Sequence, residues 1–371
     1  MIPAADDVRT WAEIDLDAIR QNVGVVRRRI GPSAEILAVV KADAYGHGVA
    51  PVARTLAAEA SIFGVANLKE ARDVAALGIG RDIMLLSACL PAERRCAVAE
   101  KFIVTVSGAE EAAAFADCGA ARINFKIDTG MGRIGCSADS TLEALRAVRE
   151  MRNLEVHSIS THLPSADEDL VFTGSQLEEF AALKKQIRGI FPTAKNHALN
   201  SAGILNHHVE PGEIVRPGLM LYGASPILSM QKELRPALTW KARVAMVREV
   251  AKGSSISYGR TFITPERMRV AVLALGYADG FPRQASGNGA SVLLHGKHCP
   301  ILGRVTMDQI VVDISAMPDA QPGDAATLVG NDGDEEITAT ELAARAGTIA
   351  WDIFTGIGQR VQRFHHDSAV N

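Results

Sequence analysis

Between residues 36 and about 223 the chain alternates eight times between a short, β-rich apolar run and a helical pattern, and few architectures accept eight such units. The strands read at 36–40, 61–66, 82–87, 103–107, 122–128, 155–161, 194–200 and 215–222. Amphipathic segments such as 68–76, 141–151 and 176–188 lie between them, with apolar residues at helical spacing. This is the pattern of a (β/α)8 TIM-type barrel, and a doubly wound sheet fits only if two strands are misread. Beyond about residue 235 the pattern changes to short strands at 240–250, 269–275, 291–294, 310–314 and 326–329, separated by Gly, Pro and Asp turns. One helical stretch, 339–346, interrupts them. The expected fold class is therefore α/β, with an N-terminal barrel over 1–235 and a mainly β C-terminal domain over 236–371. Residues 10–16 read as a strand open to either domain, pairing with the C-terminal one included.

Composition narrows the function. At 371 residues the chain has room for two domains on a prior of about 150 residues each. Its 47% hydrophobic and 22% charged content is that of an ordinary globular enzyme. A net charge of −4 with no basic block argues against a nucleic-acid platform or a polybasic membrane face. No apolar run approaches the roughly 18 residues of a membrane span, and no basic-then-apolar leader opens the chain. The five cysteines (Cys89, Cys96, Cys118, Cys136, Cys299) are odd in number and lack metal-ligand spacing, as in a reduced, cytoplasmic protein. The segment from His295 to Cys299, and the pairs His207-His208 and His365-His366, offer incomplete ligand sets, so no metal is expected.

In a barrel of this kind chemistry gathers at the carboxyl ends of the strands. Lys41 follows the first strand and opens a glycine-rich turn with Tyr45, Gly46 and Gly48. An ammonium there is costly to desolvate, and a lysine driven neutral is a nucleophile suited to a Schiff base with a carbonyl or pyridoxal phosphate (PLP). Arg133 follows the fifth strand, and His162 and Asp167 the sixth. Asn200 and Ser201 follow the seventh, and Arg216 and Gly218 lie on the eighth. An amine, two arginines, a histidine and a Ser/Gly nest fit a phosphorylated carbonyl compound. Gly130, Gly132 and Gly135 form a literal G-x-G-x-x-G, but they surround Arg133 and the helix begins only after Asp139, so a dinucleotide fingerprint fits poorly.

At these residues the chain resembles the alanine racemases, PLP enzymes built of a barrel and a β domain. The run from Val40 to Gly48 resembles the family's cofactor-attachment motif throughout. The likeness continues from Trp11 to Val361, through Ser257-Tyr258-Gly259, the segment from Gly276 to Gly280 and that from Gly303 to Gln309. The resemblance implies that Lys41 carries PLP and acts as the base facing D-alanine. It implies that Tyr258, supplied by the other subunit of a head-to-tail homodimer, faces L-alanine, with Met307 and Asp308 reaching in beside it. Tyr45, Ser201, Gly218 and the Leu219 amide would hold the phosphate, with Asn200 adjoining. Arg133 would touch the phenolic oxygen and the substrate, and His162 would couple Tyr258 to Arg216.

Two bases must flank the α-carbon if a proton is to leave one face and return on the other. If Arg216 meets the pyridine nitrogen, a guanidinium that keeps its proton leaves that nitrogen unprotonated and suppresses transamination. The resemblance also implies a carbamylated Lys126 holding Arg133. Gln359 departs from the pattern, standing where the family often has a tyrosine before the Arg-Val pair, and so puts a phosphate contact and strict alanine selection in question. The expected function is racemisation of alanine, supplying D-alanine for peptidoglycan. The alternatives are a racemase of serine or other small amino acids, and a PLP-binding homeostasis protein without turnover, which would lack Tyr258. A decarboxylase is disfavoured by Arg216.

Overall fold

A computed structural model describes residues 7–368, which divide into two compact units. One comprises residues 19–44 and 49–235; the other comprises 7–18, 45–48 and 236–368.

Along the chain, β1 (Thr10–Asp15) lies in the second unit, and the strands of the first are β2 (Glu35–Val39), β3 (Ile62–Val65), β4 (Asp82–Ala88), β5 (Ile103–Val106), β6 (Ala121–Asp128), β7 (Cys136–Ser137), β8 (Leu154–Ser160), β9 (Lys195–His197) and β10 (Ile214–Val215). Eight of these, among the described residues, pair in the order β10-β2-β3-β4-β5-β6-β8-β9, every neighbour parallel, while the two-residue β7 pairs with β6. An isolated parallel bridge between Asn200 and Arg216 nearly closes the ring. Parallel strands are buried on both faces, which is why β3 and β5 are continuous Val/Ile-rich runs with every residue buried. The surrounding helices begin at side-chain caps: Asn67 for Leu68–Ala75, Ser137 for Ala138–Arg149 and Asp169 for Leu170–Ile187. At the amino ends of the strands Arg122 grips Asp82 with a two-point fork (2.6 and 2.8 Å) and Lys195 meets Glu35 at 2.5 Å.

The last strand is shorter than the sequence pattern predicts. Only Ile214–Val215 is extended, and Leu219–Tyr222 is a 3₁₀ turn. Pro217 has no N–H for a ladder, so pairing ends there. The apolar run continues because all four residues of the turn are buried.

The second unit is centred on β11 (Leu238–Val250), which pairs antiparallel with β1, Met268–Leu273 and Ala325–Asp332. β1 lies between β11 and Gln362–His366, parallel to the latter. Residues 10–15 therefore pair within the β unit, one of the two placements open to them from the sequence. The buried Trp240 fixes this seam, its indole N–H donating to Thr10 Oγ1 at 3.0 Å. Residues 45–48 also belong to this unit. Gly46 has φ 76°, and a Cβ there would come within 2.3 Å of the Phe354 carbonyl oxygen, so only glycine fits. Helix Ala339–Ala346 is where the sequence places it, and a further helix, Ala350–Gly356, follows.

Candidate active site

β2 delivers Lys41 to a turn of unusual hand. Ala42, Asp43, Ala44 and Tyr45 take φ values of 52, 53, 54 and 52°, four consecutive non-glycine residues in the left-handed region. The strain is thus carried by two alanines, an aspartate and a tyrosine ahead of Gly46, at a cost of roughly 1–2 kcal/mol per residue. Specific bonds hold it. Ala44 N–H donates to the Val40 carbonyl (2.9 Å), and Val49 N–H to Asp43 Oδ1 (2.7 Å). The Glu70 carboxylate accepts from Ala42 N–H (3.0 Å) and from Ala66 N–H (2.8 Å), tying the turn to the end of β3. Burial lowers the Lys41 pKa, the Arg133 guanidinium lowers it further, and Glu70 opposes them. Its amine therefore reaches the neutral, nucleophilic form more readily than a free lysine.

At the end of β10, the neighbour of β2, Arg216 is buried among acceptors. Its Nη1 donates to His197 Nδ1 (2.7 Å); its Nη2 meets the carbonyls of Thr161 and Ala198 (both 2.8 Å) and His162 Nδ1 (3.1 Å). A guanidinium only donates, so both histidine Nδ1 atoms accept, and each neutral ring carries its proton on Nε2. Burial, reinforced by the charge of Arg216, pushes His162 down to about 2 and His197 well below the usual histidine range. Burial lowers Arg216 itself to about 10, which still leaves it a cation at neutral pH. Its Nε–H has no partner among the described residues and remains available to a ligand.

Ser201 Oγ accepts from the amides of Gly218 (3.0 Å) and Met220 (3.4 Å), joining the start of Ser201–Asn206 to the turn Leu219–Tyr222. The amides of Ser201, Ala202 and Leu219 make no hydrogen bond among the described residues, and all three residues are buried. Buried, uncommitted amides of this kind suit a phosphate. Asn200 acts as builder: its Oδ1 caps Gly203 N–H (3.0 Å) and its Nδ2 donates to the Leu163 carbonyl (3.1 Å).

Lys126 on β6 is buried, with no hydrogen bond or ion pair among the described residues. Burial and the charges of Arg216 and Arg133 drive its pKa far below that of a free lysine, against Asp128. Asp128 organises the Arg133 loop by accepting the amides of Gly130 (2.9 Å), Met131 (2.8 Å) and Gly132 (2.9 Å). Gly135, at φ 135°, lies so near the strand that a Cβ would be 2.6 Å from the Asp128 nitrogen. The three glycines therefore shape an aspartate-centred loop with Arg133 exposed on it.

Other expected residues lie in the β unit. Tyr258 is 70% exposed and Met307 53%. Asp308 binds Arg360 at 2.8 Å, and Arg360 also meets the buried Asp279 at 3.1 Å. Gln359 is exposed. Tyr45 is buried, which pushes its hydroxyl up to about 12 against a hydrogen bond with Trp351. Asp167 is exposed. His197 and Glu70 escaped the sequence reading. A histidine inside a short strand and a glutamate in the first turn of a helix look structural until their partners are known.

Residues 14–226 match the family model for the alanine racemase N-terminal domain, and residues 237–365 that for its C-terminal domain. The chain belongs to the alanine racemase family. Among its relatives is the alanine racemase of Symbiobacterium thermophilum, 40% identical over 96% of this chain and 97% of that protein. The crystal structure of the alanine racemase from D-cycloserine-producing Streptomyces lavendulae is 36% identical with a TM-score of 0.89, covering 97% of this chain and 98% of that one. That of the Bartonella henselae enzyme, with covalently bound pyridoxal phosphate, is 27% identical with a TM-score of 0.88, covering 96% and 99%. The family's cofactor is PLP, and this site fits it through the depressed Lys41 amine, the open Arg216 Nε–H and the uncommitted amides of Ser201, Ala202 and Leu219.

Proposed function

We propose that this enzyme interconverts L- and D-alanine, moving the α-proton between Lys41 on one face and Tyr258 of the partner subunit on the other. The observation that carries this reading is the depressed Lys41 amine on a turn fixed by Glu70, on the strand beside the one that leads to a buried Arg216 held between two neutral histidines. Bound PLP supplies the electron sink that makes the α-proton removable. The Ser201, Gly218 and Leu219 group, with Tyr45, would hold its phosphate. Arg216 would meet its ring nitrogen while keeping its own proton, which weakens the sink and discourages transamination. His162, with its proton on Nε2, offers a donor to a phenol oxygen; that donor eases proton loss from the second base. Arg133 would meet the phenolic oxygen and the substrate carboxylate, and a carbamylated Lys126 would hold it.

The exposure of Tyr258 and Met307 supports a homodimer in which each subunit completes the other's site. Among the described residues no helix is long and apolar enough to cross a membrane, and all five cysteines are free, which supports a cytoplasmic setting. Gln359 in place of a tyrosine favours a second reading, turnover of serine beside alanine. The test is proton NMR of L-alanine in D2O with chiral analysis of the same sample. Loss of the α-proton signal with D-alanine accumulating is the expected result. No exchange by a PLP-loaded protein would exclude alanine as the substrate.

A further inference from the structure

The hydrogen-bond chain behind Arg216 does not stop at His197. Nε2 of that ring lies 3.1 Å from Asn124 Oδ1 and 3.2 Å from Ser158 Oγ. Asn124 Nδ2 donates to Thr105 Oγ1 (3.0 Å), whose hydroxyl donates to the Leu85 carbonyl (2.7 Å). Ser158 Oγ donates to Asn124 Oδ1 (3.1 Å). Thr105, Asn124, Ser158 and His197 are each at most 2% exposed, and they come from β5, β6, β8 and β9, neighbours in the sheet.

The polarity of this chain is fixed from both ends. A backbone carbonyl can only accept, so the Thr105 proton points at Leu85 and Thr105 Oγ1 must accept from the Asn124 amide. That orientation leaves Asn124 Oδ1 facing His197 and requires a proton on Nε2. At the other end Arg216 can only donate, which requires His197 Nδ1 to be bare. The two demands agree. A flipped Asn124 would set an NH2 against the Nε2–H and a carbonyl oxygen against a Thr105 oxygen whose proton is already engaged, stranding buried polar atoms at about 1–3 kcal/mol each.

We propose that Asn124 is a positioning residue for the reaction: by accepting the Nε2–H of His197 it locks the tautomer whose Nδ1 receives Arg216, and so holds the guanidinium in place. Arg216 and Lys126 are the charged groups facing His197, with His157 and His162 beside it. The consequence for turnover rests on the alanine reading above; the lock itself does not.

The test uses the full-length protein as purified, without substrate, with ¹⁵N-labelled histidine. The His197 signals are identified by their loss in His197→Gln. His197 is expected to show the Nε2–H tautomer and no titration between pH 5 and 9. In Asn124→Asp a carboxylate replaces the amide, the ring takes a second proton on Nδ1, and two donors then face each other at Arg216. kcat is expected to fall on the order of 10–100-fold, as when a partner orienting a ligating histidine is lost, with KM little changed. Ser158→Ala keeps the Asn124–His197 bond, so it should retain the wild-type tautomer and kcat within about twofold. An Nδ1–H tautomer in the wild type, or Asn124→Asp with unchanged tautomer and kcat, would overturn the proposal. If Asn124→Asp does not fold, the wild-type spectrum and Ser158→Ala still decide. A wild type inactive on alanine but showing the Nε2–H tautomer would refute alanine racemisation and support the lock.

Discussion

Arg216 and its histidines show how burial and charge together set protonation at single residues. Replacing Arg216 with glutamate would place an acid where a permanent donor now sits, protonate the cofactor ring and raise transamination. Counting pyridoxamine phosphate formed per racemisation turnover checks this, and unchanged partitioning would count against it. His157, on β8 at the other end of the barrel, gives a pH effect. Burial, with Arg122 and Lys195 nearby, lowers its pKa to about 4, and its Nδ1 has no partner among the described residues. Between pH 6.5 and about 4 the unfolded chain binds a proton there that the folded one refuses, so stability declines as pH falls through that window. Thermal melts at pH 7 and 5 should show a smaller drop in Tm for His157→Gln than for the wild type. His162 and His197, also held neutral by burial, add to the same acid sensitivity, so the difference will be partial.

Glu70 is the element-scale counterpart: one carboxylate joins two loops through the amides of Ala42 and Ala66. Glu70→Ala removes the acceptor of both amides and releases the Lys41 turn, and should cost about 1–3 kcal/mol in denaturant unfolding while raising the Kd for PLP. The strands of the barrel were legible because buried parallel strands are runs of Val, Ile and Leu bounded by Gly, Asp and Asn, a local signal. The last strand was overread because hydrophobicity reports burial without distinguishing a 3₁₀ turn from a ladder. Helix 350–356 and strand 362–366 were missed for the converse reason. They are short and partly polar, and owe their form to β1 and to the Gly46 loop, partners distant in sequence. Among site residues, Lys41, Arg133, His162 and Arg216 could be found from motif and placement. His197 and Asn124 could not, since their meaning lies in donor and acceptor directions that only the folded barrel defines.

At the scale of the whole molecule the prediction concerns assembly. Tyr258 and Met307 are more than half exposed in one chain, unlike the buried groups around Arg216. If two subunits complete each other's sites, Tyr258→Ala and Lys41→Ala chains, each inactive alone, should recover up to about a quarter of wild-type activity when mixed at equal amounts and allowed to exchange. No recovery despite subunit exchange would refute shared sites. Gln359→Tyr, tested in the same assembled enzyme, should lower kcat/KM for serine relative to alanine, and an equal ratio would show that this position does not select the substrate.

The four-residue turn after Lys41 has the hand that mirror-image residues adopt without strain. A semisynthetic protein carrying D-alanine at 42 and 44 should therefore be more stable than the natural chain, by about 1 kcal/mol at each position, because the Cβ clash with the following carbonyl disappears while the unfolded chain gains no freedom. The segment that bears the reactive lysine thus holds L-residues in a backbone conformation that D-residues, the enzyme's own product among them, favour.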